Sequence, residues 1–346
     1  MRVGIVFHKN PFVPPTGIDL VRLRALATGL VGRGIQAEIV APVRRAGLIE
    51  GIVPVHPLEV LKSPTPYDLL KTCYHDSIEL IGTYQGPVVS RIVRVVDERL
   101  PERDEPARAR LLLCQERIRE RASVLVLNNR ENMLRWQKLY GPKPRIVLVS
   151  TGCPREIPLP RRNPFNGDRP VVLFLGSLAA PRMVRMLNEA ARRLRAIADV
   201  HLVGLNKAGL YGGDEKCRLD TGIVDHGEVM EQDAWDYIRH AAVGLALATG
   251  PLPFDNDVSK ILTYLRGGLP VLSEEPILNN ELVRQTGLGT TFTYDNVDEL
   301  AAKAEYLIRD PMPAKRERVM RFMAEEHSWD RRVDTYVDLF NELTGA

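Results

Sequence analysis

Short apolar runs alternate with amphipathic stretches along this chain, and they do so twice, on either side of a proline-rich break. Few folds accept that pattern: strands separated by helices build parallel sheets covered on both faces. The first series opens with a strand expected at Arg2–Phe7. A proline-rich loop over Lys9–Gly17 leads to a helix expected over Asp19–Gly32, in which Leu20, Leu23, Leu26, Ala27, Leu30 and Val31 recur near the helical period. Gly34 stands where a helix cap belongs. Further strands are expected at Ala37–Ala41, Ile52–Val55, Leu69–Cys73, Val88–Val95, Val124–Leu127 and Ile146–Val149, and helices at Ala107–Arg121 and Arg130–Tyr140. The second series places strands at Val171–Leu175, Val200–Val203, Gly222–Asp225, Val243–Ala246, Val271–Ser273 and Thr290–Phe292. Its helices are expected at Met183–Ala196, Glu231–Ala241 and Ser259–Arg266.

The break, Thr151–Pro170, holds five prolines and two glycines and few apolar residues, and reads as an exposed interdomain linker. The expected α/β organisation is therefore a first domain over 1–152, a linker over 153–170 and a second domain over 171–328. A chain of 346 residues gives each half enough material for its own core. Hydrophobic residues at 45% and charged residues at 26% exclude intrinsic disorder. No apolar run approaches the roughly 20 residues that a bilayer-spanning helix needs. Met1–Phe7 is too short and too early for a signal peptide.

A net charge of +3 is too balanced to mark a nucleic-acid protein. The arginines from Arg91 to Arg110 are interleaved with Asp97, Glu98, Glu102, Asp104 and Glu105, the pattern of a solvated mixed-charge face. No nucleic-acid partner is expected. The four cysteines, Cys73, Cys114, Cys153 and Cys217, form no C-x-x-C pair and no Cys/His cluster. No metal site is expected, and a reducing cytosol fits best. Peripheral contact with a membrane is compatible with the basic and apolar residues but not required by them.

Open parallel sheets bind ligands at the carboxyl ends of their strands, and two such domains facing each other make a cleft. Three loops at such ends carry candidate residues. The first, His8 to Gly17, opens onto a helix N-terminus, where free N–H groups favour an anion; it contains neither G-x-G-x-x-G nor a P-loop. The second, Phe174-Leu175-Gly176-Ser177-Leu178 followed by Arg182, places a glycine where a ligand can approach the backbone and an arginine where it can pair with phosphate. The third, Asp255-Asn256-Asp257-Val258-Ser259-Lys260, brings a hydroxyl and an ammonium to a helix start ahead of Gly267-Gly268-Leu269-Pro270-Val271. Together they suit a diphosphate.

That third segment resembles the C-terminal signature of the GT-B glycosyltransferases, particularly the large family-4-like group. Val149-Ser150-Thr151-Gly152 is similar to the segment that leads into the family's linker. Leu175-Gly176-Ser177-Leu178 with Arg182 resembles its diphosphate motif, His226-Gly227-Glu228-Val229 its nucleobase segment, and His327-Ser328-Trp329-Asp330 the opening of its final helix. The resemblance implies two Rossmann-like domains facing a cleft, with the last helix, 329–346, crossing back to the first. It implies sugar transfer from a nucleoside diphosphate sugar to an acceptor hydroxyl, without a metal or other cofactor. The acceptor would be a glycan, a lipid-linked molecule or a small molecule, with Thr16, Gly17 and Asp19 on its side, and the setting cytoplasmic. Gly176, Ser177, Arg182, Ser259 and Lys260 would hold the diphosphate; His226, Gly227, Val229, Thr263 and Glu275 would face nucleobase and ribose.

The sequence departs from the family's Glu-x7-Glu pattern: Asp255 stands at the first glutamate and Thr263 at the second, and Ser177 replaces an arginine. Glu274 and Glu275 are candidates to contact ribose instead. The stereochemical course stays open. For an acceptor base, His75 or Asp76 is favoured, with Asp19 and Asp97 as alternatives. Competing readings are a metal site at Asp255-Asn256-Asp257, a nucleotide-sugar epimerase, and a catalytically silent nucleotide-binding subunit.

Overall fold

Five of the six residues of strand β1 (Arg2–Phe7) are buried, as a strand covered on both faces requires. Val3, Ile5 and Phe7 belong to one core layer and Val6 to the opposite one, following the two-residue period of a strand. The computed structural model describes residues 1–14, 17–62, 65–97, 105–208, 217–253 and 258–345. They fall into two units: Met1–Pro14, Ile18–Thr151 and Trp329–Ala346 in unit 1, and Gly17 with Gly152–Ser328 in unit 2.

The sheet of unit 1 adds β2 (Gln36–Ala41), β3 (Gly47–Ile49), β4 (Val53–Pro57), β5 (Leu69–Cys73), β6 (Val88–Arg91), β7 (Val124–Leu127) and β8 (Arg145–Leu148). Its order is β3-β4-β2-β1-β5-β6-β7-β8. Neighbours are parallel except β3 and β4, an antiparallel pair. Glu50 and Gly51, both at positive φ, make the turn between them. Helix α1 (Ile18–Val31) covers one face; α2 (Glu105–Arg121) and α3 (Arg130–Tyr140) send Ile118 and Trp136 into the other. The final helix of the chain, Trp329–Thr344, lies beside α1 and contributes Val333 and Phe340 to the α1 layer. Gly29 makes this possible: a Cβ there would stand 2.6 Å from Val333 Cγ2.

The strand expected over Val88–Val95 ends at Arg91. Beyond it, side-chain amides take over from the ladder: Val95 N–H donates to Asn132 Oδ1 at 2.7 Å and Val96 N–H to Gln115 Oε1 at 2.7 Å. That substitution satisfies the buried backbone while bending it away from the sheet.

Unit 2 is a parallel sheet of β9 (Val171–Leu175), β10 (Asp199–Val203), β11 (Ile223–Asp225), β12 (Val243–Ala246), β13 (Val271–Glu274) and β14 (Gly289–Phe292), in the order β11-β10-β9-β12-β13-β14. Helices α4 (Pro181–Leu194) and α8 (Val297–Arg309) pack on one face. Helices α5 (Glu231–His240), α6 (Lys260–Arg266) and α7 (Asn280–Thr286) pack on the other with α9 (Pro313–Glu326); the final helix is α10. Pro181 opens α4 at the first helical position, where its missing N–H costs nothing.

Residues 153–170, read from sequence as a linker, are anchored on unit 2. Phe165 is buried in its core, Arg266 Nε donates to Pro154 O at 2.9 Å, and Arg161 N–H donates to Asp236 Oδ1 at 2.9 Å. Cys153 bridges Ser328, so the chain enters and leaves unit 2 side by side.

One buried hydroxyl ties the middle of that sheet to α6. Tyr264 Oη accepts from Leu175 N–H at 2.8 Å and lies 3.2 Å from both Leu173 O and Leu245 O. Its ring fills the space a Gly244 side chain would need. Tyr264→Phe strands the Leu175 N–H and should cost about 1–3 kcal/mol of unfolding free energy, read from urea titration, with the fold retained.

Candidate functional site

Sheet order points to where a ligand belongs. In unit 2 the connections reverse direction between β9 and β12, and ligands of open parallel sheets sit outside the carboxyl ends of the strands at that point. Gly176 follows β9 there, at φ +103°. Gly204, just after β10, comes so close that a Cβ on it would overlap Gly176 O. Gly227, after β11 at φ +66°, has its carbonyl bonded by Gly204 N–H at 2.8 Å, and nothing lies within 4 Å of where its Cβ would be. Three successive strand ends thus present bare backbone.

Lys260, the first residue of α6, reaches toward this edge. Its ammonium lies 3.5 Å from the ring centroid of Phe174 and 3.9 Å from where a Gly176 Cβ would stand. Among the described residues it has no hydrogen bond and no ion pair. Desolvation alone pushes it down to about 7, because an ammonium away from water and without a counter-charge is costly. Ser259, just before it, makes no capping bond. Ser177 is half-buried, and neither hydroxyl has a hydrogen-bond partner among the described residues. Helix α4, with 14 residues, likewise starts without a side-chain cap. The group is cationic and rich in donors, which suits an anion.

Arg182 has a different role from the one its position suggests. Its Nη1 donates to Glu274 Oε2 at 3.0 Å and to Ala248 O at 2.6 Å, and its Nη2 pairs with Glu274 Oε1 and with Asp295 at 3.0 Å. Its guanidinium also stacks 4.1 Å above Tyr294. Glu274 is wholly buried, and a carboxylate taken that far from water needs such a partner and its hydrogen bonds. The arginine at a helix start is therefore explained by a buried carboxylate. Glu274 is not available to ribose. Glu275 is also engaged, with Arg284 at 2.9 Å and Asn280 at 3.1 Å. Thr263 sits one turn into α6, half-buried.

An aromatic group lies beside Gly227. His226 Nε2 is 2.8 Å from His201 Nδ1, and His226 Nδ1 is 3.4 Å from Tyr237 Oη. Phe165 stands edge-on to His201, His226 and Tyr237. Burial, with the neighbouring His226, pushes His201 down to about 4, and burial lowers His226 as well. The pair is neutral at pH 7. Val229 packs against the same core. His201 and Phe165 were not among the sequence candidates; β10 reads only as an apolar strand, and Phe165 lies in the proline-rich segment.

In unit 1 the corresponding reversal lies between β1 and β5. His75 follows β5, but it is 5% exposed, and its Nε2 lies 3.3 Å from the buried Gln115 Oε1. Burial pushes it down to about 4. It is a core histidine, not an exposed base. His8, the first residue past β1, is half-buried and more open than His75. Its Nε2 is 3.9 Å from Asp76 Oδ2 and its Nδ1 is 3.5 Å from Ser77 Oγ. Desolvation lowers its pKa, partly opposed by Asp76. The signal for His8 was present: a histidine at the carboxyl end of the first strand. Asp19 is bound to Lys9 at 2.7 Å, which holds its carboxyl below the usual range against the effect of burial. Asp97 pairs with the buried Arg135. Thr16 and Asp255 lie outside the described residues, and Gly17 starts the turn into α1.

Comparison with solved structures covers the whole chain. Sucrose-phosphate synthase from Thermosynechococcus elongatus superposes with a TM-score of 0.76 over 99% of this chain and 98% of that one, at 14% identity. HepE from Anabaena, solved with UDP-glucose, gives 0.76 over 99% and 100%, at 15% identity. WaaG, a glycosyltransferase of lipopolysaccharide biosynthesis, gives 0.71 over 100% of both chains, at 15% identity. The fold is GT-B. No protein-family profile and no curated protein sequence matches the chain. Within the GT-B frame, unit 1 is the N-terminal Rossmann-like domain completed by α10, and unit 2 is the C-terminal one. No helix among the described residues is long and apolar enough to cross a membrane.

The buried imidazoles set an acid limit on stability. In the unfolded chain a histidine protonates near ~6.5, whereas folded His75 does so only near 4. The folded state thus binds fewer protons between these values. Its stability contribution is full above the unfolded pKa and is lost as pH falls toward 4. The melting temperature should drop across that window, and His75→Gln should reduce the drop when the two proteins are compared by calorimetry.

Proposed function

We propose that this protein transfers a sugar from a nucleoside diphosphate sugar to an acceptor hydroxyl. The observation that carries the reading is Lys260, an ammonium without a counter-charge among the described residues, beside Gly176 at the switch point of a GT-B sheet. Breaking the bond from the anomeric carbon to the phosphate oxygen leaves the electron pair on the diphosphate. A fixed cation at that oxygen lowers the barrier. Lys260 supplies the charge, Ser177 and Ser259 supply donors, and Gly176 lets the backbone come close. Arg182 acts from behind, holding Glu274 and through it the loops after β12 and β14. His226, Gly227 and Val229, with Phe165 and Tyr237, form the nucleobase side. Thr263 is left as the ribose contact, and Asp255 as the residue facing donor sugar hydroxyls. HepE, a structural neighbour, was solved with UDP-glucose, which makes uridine diphosphate sugars the first donors to test.

His8 is the acceptor base in this reading, replacing His75. A neutral imidazole takes the acceptor proton, and Asp76 stabilises the imidazolium that forms. The acceptor oxygen then attacks the anomeric carbon opposite the leaving diphosphate, so the configuration inverts. The acceptor, a glycan, a lipid-linked molecule or a small molecule, binds near Asp19, at the start of α1 in unit 1. A cytoplasmic setting supplies the donor.

Calorimetric titration with UDP, GDP, ADP and TDP should find one diphosphate that binds, and Lys260→Ala should weaken it by about 10–100-fold, or ~1.4–2.8 kcal/mol. Binding should take up protons near pH 8, because the bound anion raises the lysine from about 7. For the same reason kcat/KM for the donor should fall above pH 7 while kcat at saturation does not. A Lys260→Ala protein with unchanged nucleotide affinity would overturn the donor site.

The acceptor side has its own test. His8→Gln should lower kcat by about 10²–10⁴-fold, in buffer containing EDTA, with nucleotide affinity unchanged. Proton NMR of the product gives the anomeric configuration, and retention would remove His8 from the role of base.

A further inference from the structure

Unit 1 buries positive charge that the transfer reaction does not use. A small cavity of about 10 Å³ is lined by Arg22, Lys71, Arg91, Ser150, Arg332 and Tyr336, with apolar neighbours and no carboxylate. Lys71 lies mid-strand in β5 and is 1% exposed. Its ammonium is 2.9 Å from Cys73 Sγ and 5.7 Å from the centre of the Tyr336 ring. Arg91 ends β6 and is 4% exposed. Its guanidinium has no hydrogen bond or ion pair among the described residues. Tyr336 Oη is buried without a partner among them as well.

Two buried cations and an unused phenol facing one cavity are an electrostatic imbalance. Removing a cation from water costs several kcal/mol unless an opposite charge restores it. A sulfur and an aromatic face are weaker partners than a carboxylate. Arg182, in the same chain, shows the ordinary solution: a partly buried arginine facing a buried carboxylate. Among the described residues the cavity lining has no carboxylate to play that part, and Arg91 and Tyr336 are left with donors that suit an anion.

We propose that this cavity is an inorganic-anion site of unit 1, sized for a single halide. Roughly 10–15 Å³ of such space holds one water-sized occupant, which rules out a nucleotide and fits chloride or bromide. Arg91 and Lys71 supply charge, and Tyr336 supplies an O–H donor. The occupant ties β5 and β6 to α10, the helix that closes the unit 1 core. The site is independent of sugar transfer, and an inactive protein would still possess it.

The experiment uses the whole chain, exchanged into gluconate buffer at constant ionic strength and titrated with chloride and then bromide. The melting temperature of the wild type should rise saturably, by about 3 °C at ten times the dissociation constant. Arg91→Met and Lys71→Met should lose the anion dependence. Crystals grown with bromide should show an anomalous peak between Arg91 Nη and Tyr336 Oη. A saturable shift that Arg91→Met retains would mean an adventitious ion only, bound elsewhere. An absent shift, or bromide peaks confined to the surface, overturns the proposal too. Should either variant fail to fold, the wild-type titration and the bromide peak still decide.

Discussion

Glu274 and Arg182 hold the ligand edge of unit 2 in shape. The carboxylate ends β13, fully buried, and accepts from Ala248 N–H and Asp295 N–H at 2.8 Å each as well as from the arginine. The loop after β12, the loop after β14 and the first turn of α4 are thereby fastened to one side chain. A charge so deep is tolerated because every lone pair is used. Beside this frame the glycines and Lys260 are positioned cheaply, since the frame, not the ligand, orders the loops. A surface already arranged spares any ligand bound there the cost of ordering loops.

Much of this architecture is legible in the sequence. β5, β7, β12 and α3 fall at the residues expected from periodicity, because strands buried on both faces and helices with one apolar stripe leave plain patterns. Lys260 was legible for an equally direct reason: an ammonium at a helix start has no structural motive. Arg182 stands at a helix start too, yet its motive is a carboxylate some 90 residues away, and no local pattern announces such a partner. His75 and His8 illustrate the same limit. Both follow strands of the same edge, and only the packing of Gln115 against one of them makes it a core residue.

Cations away from water are treated in three ways. Arg182 and Arg135 meet carboxylates; Arg266 meets the carbonyls of Pro154 and Arg155; Lys260, Lys71 and Arg91 meet neither, among the described residues. The unpaired ones all line strand ends or the cavity beneath them. The first two groups have a structural reason for their charge in the fold itself, and the third has none among the described residues.

The bridge between Cys153 and Ser328, with Cys153 N–H donating to His327 O at 2.9 Å, bears on the order of assembly. Apart from Gly17, the described part of unit 2 is one stretch set into unit 1, whereas unit 1 lacks part of its core until α10 has been made. On a ribosome the inserted unit can therefore finish folding first, although it is synthesised second. The earlier part must wait, with the apolar side of α1 uncovered, for the last residues of the chain. Demands on chaperones should thus fall on the N-terminal half during synthesis.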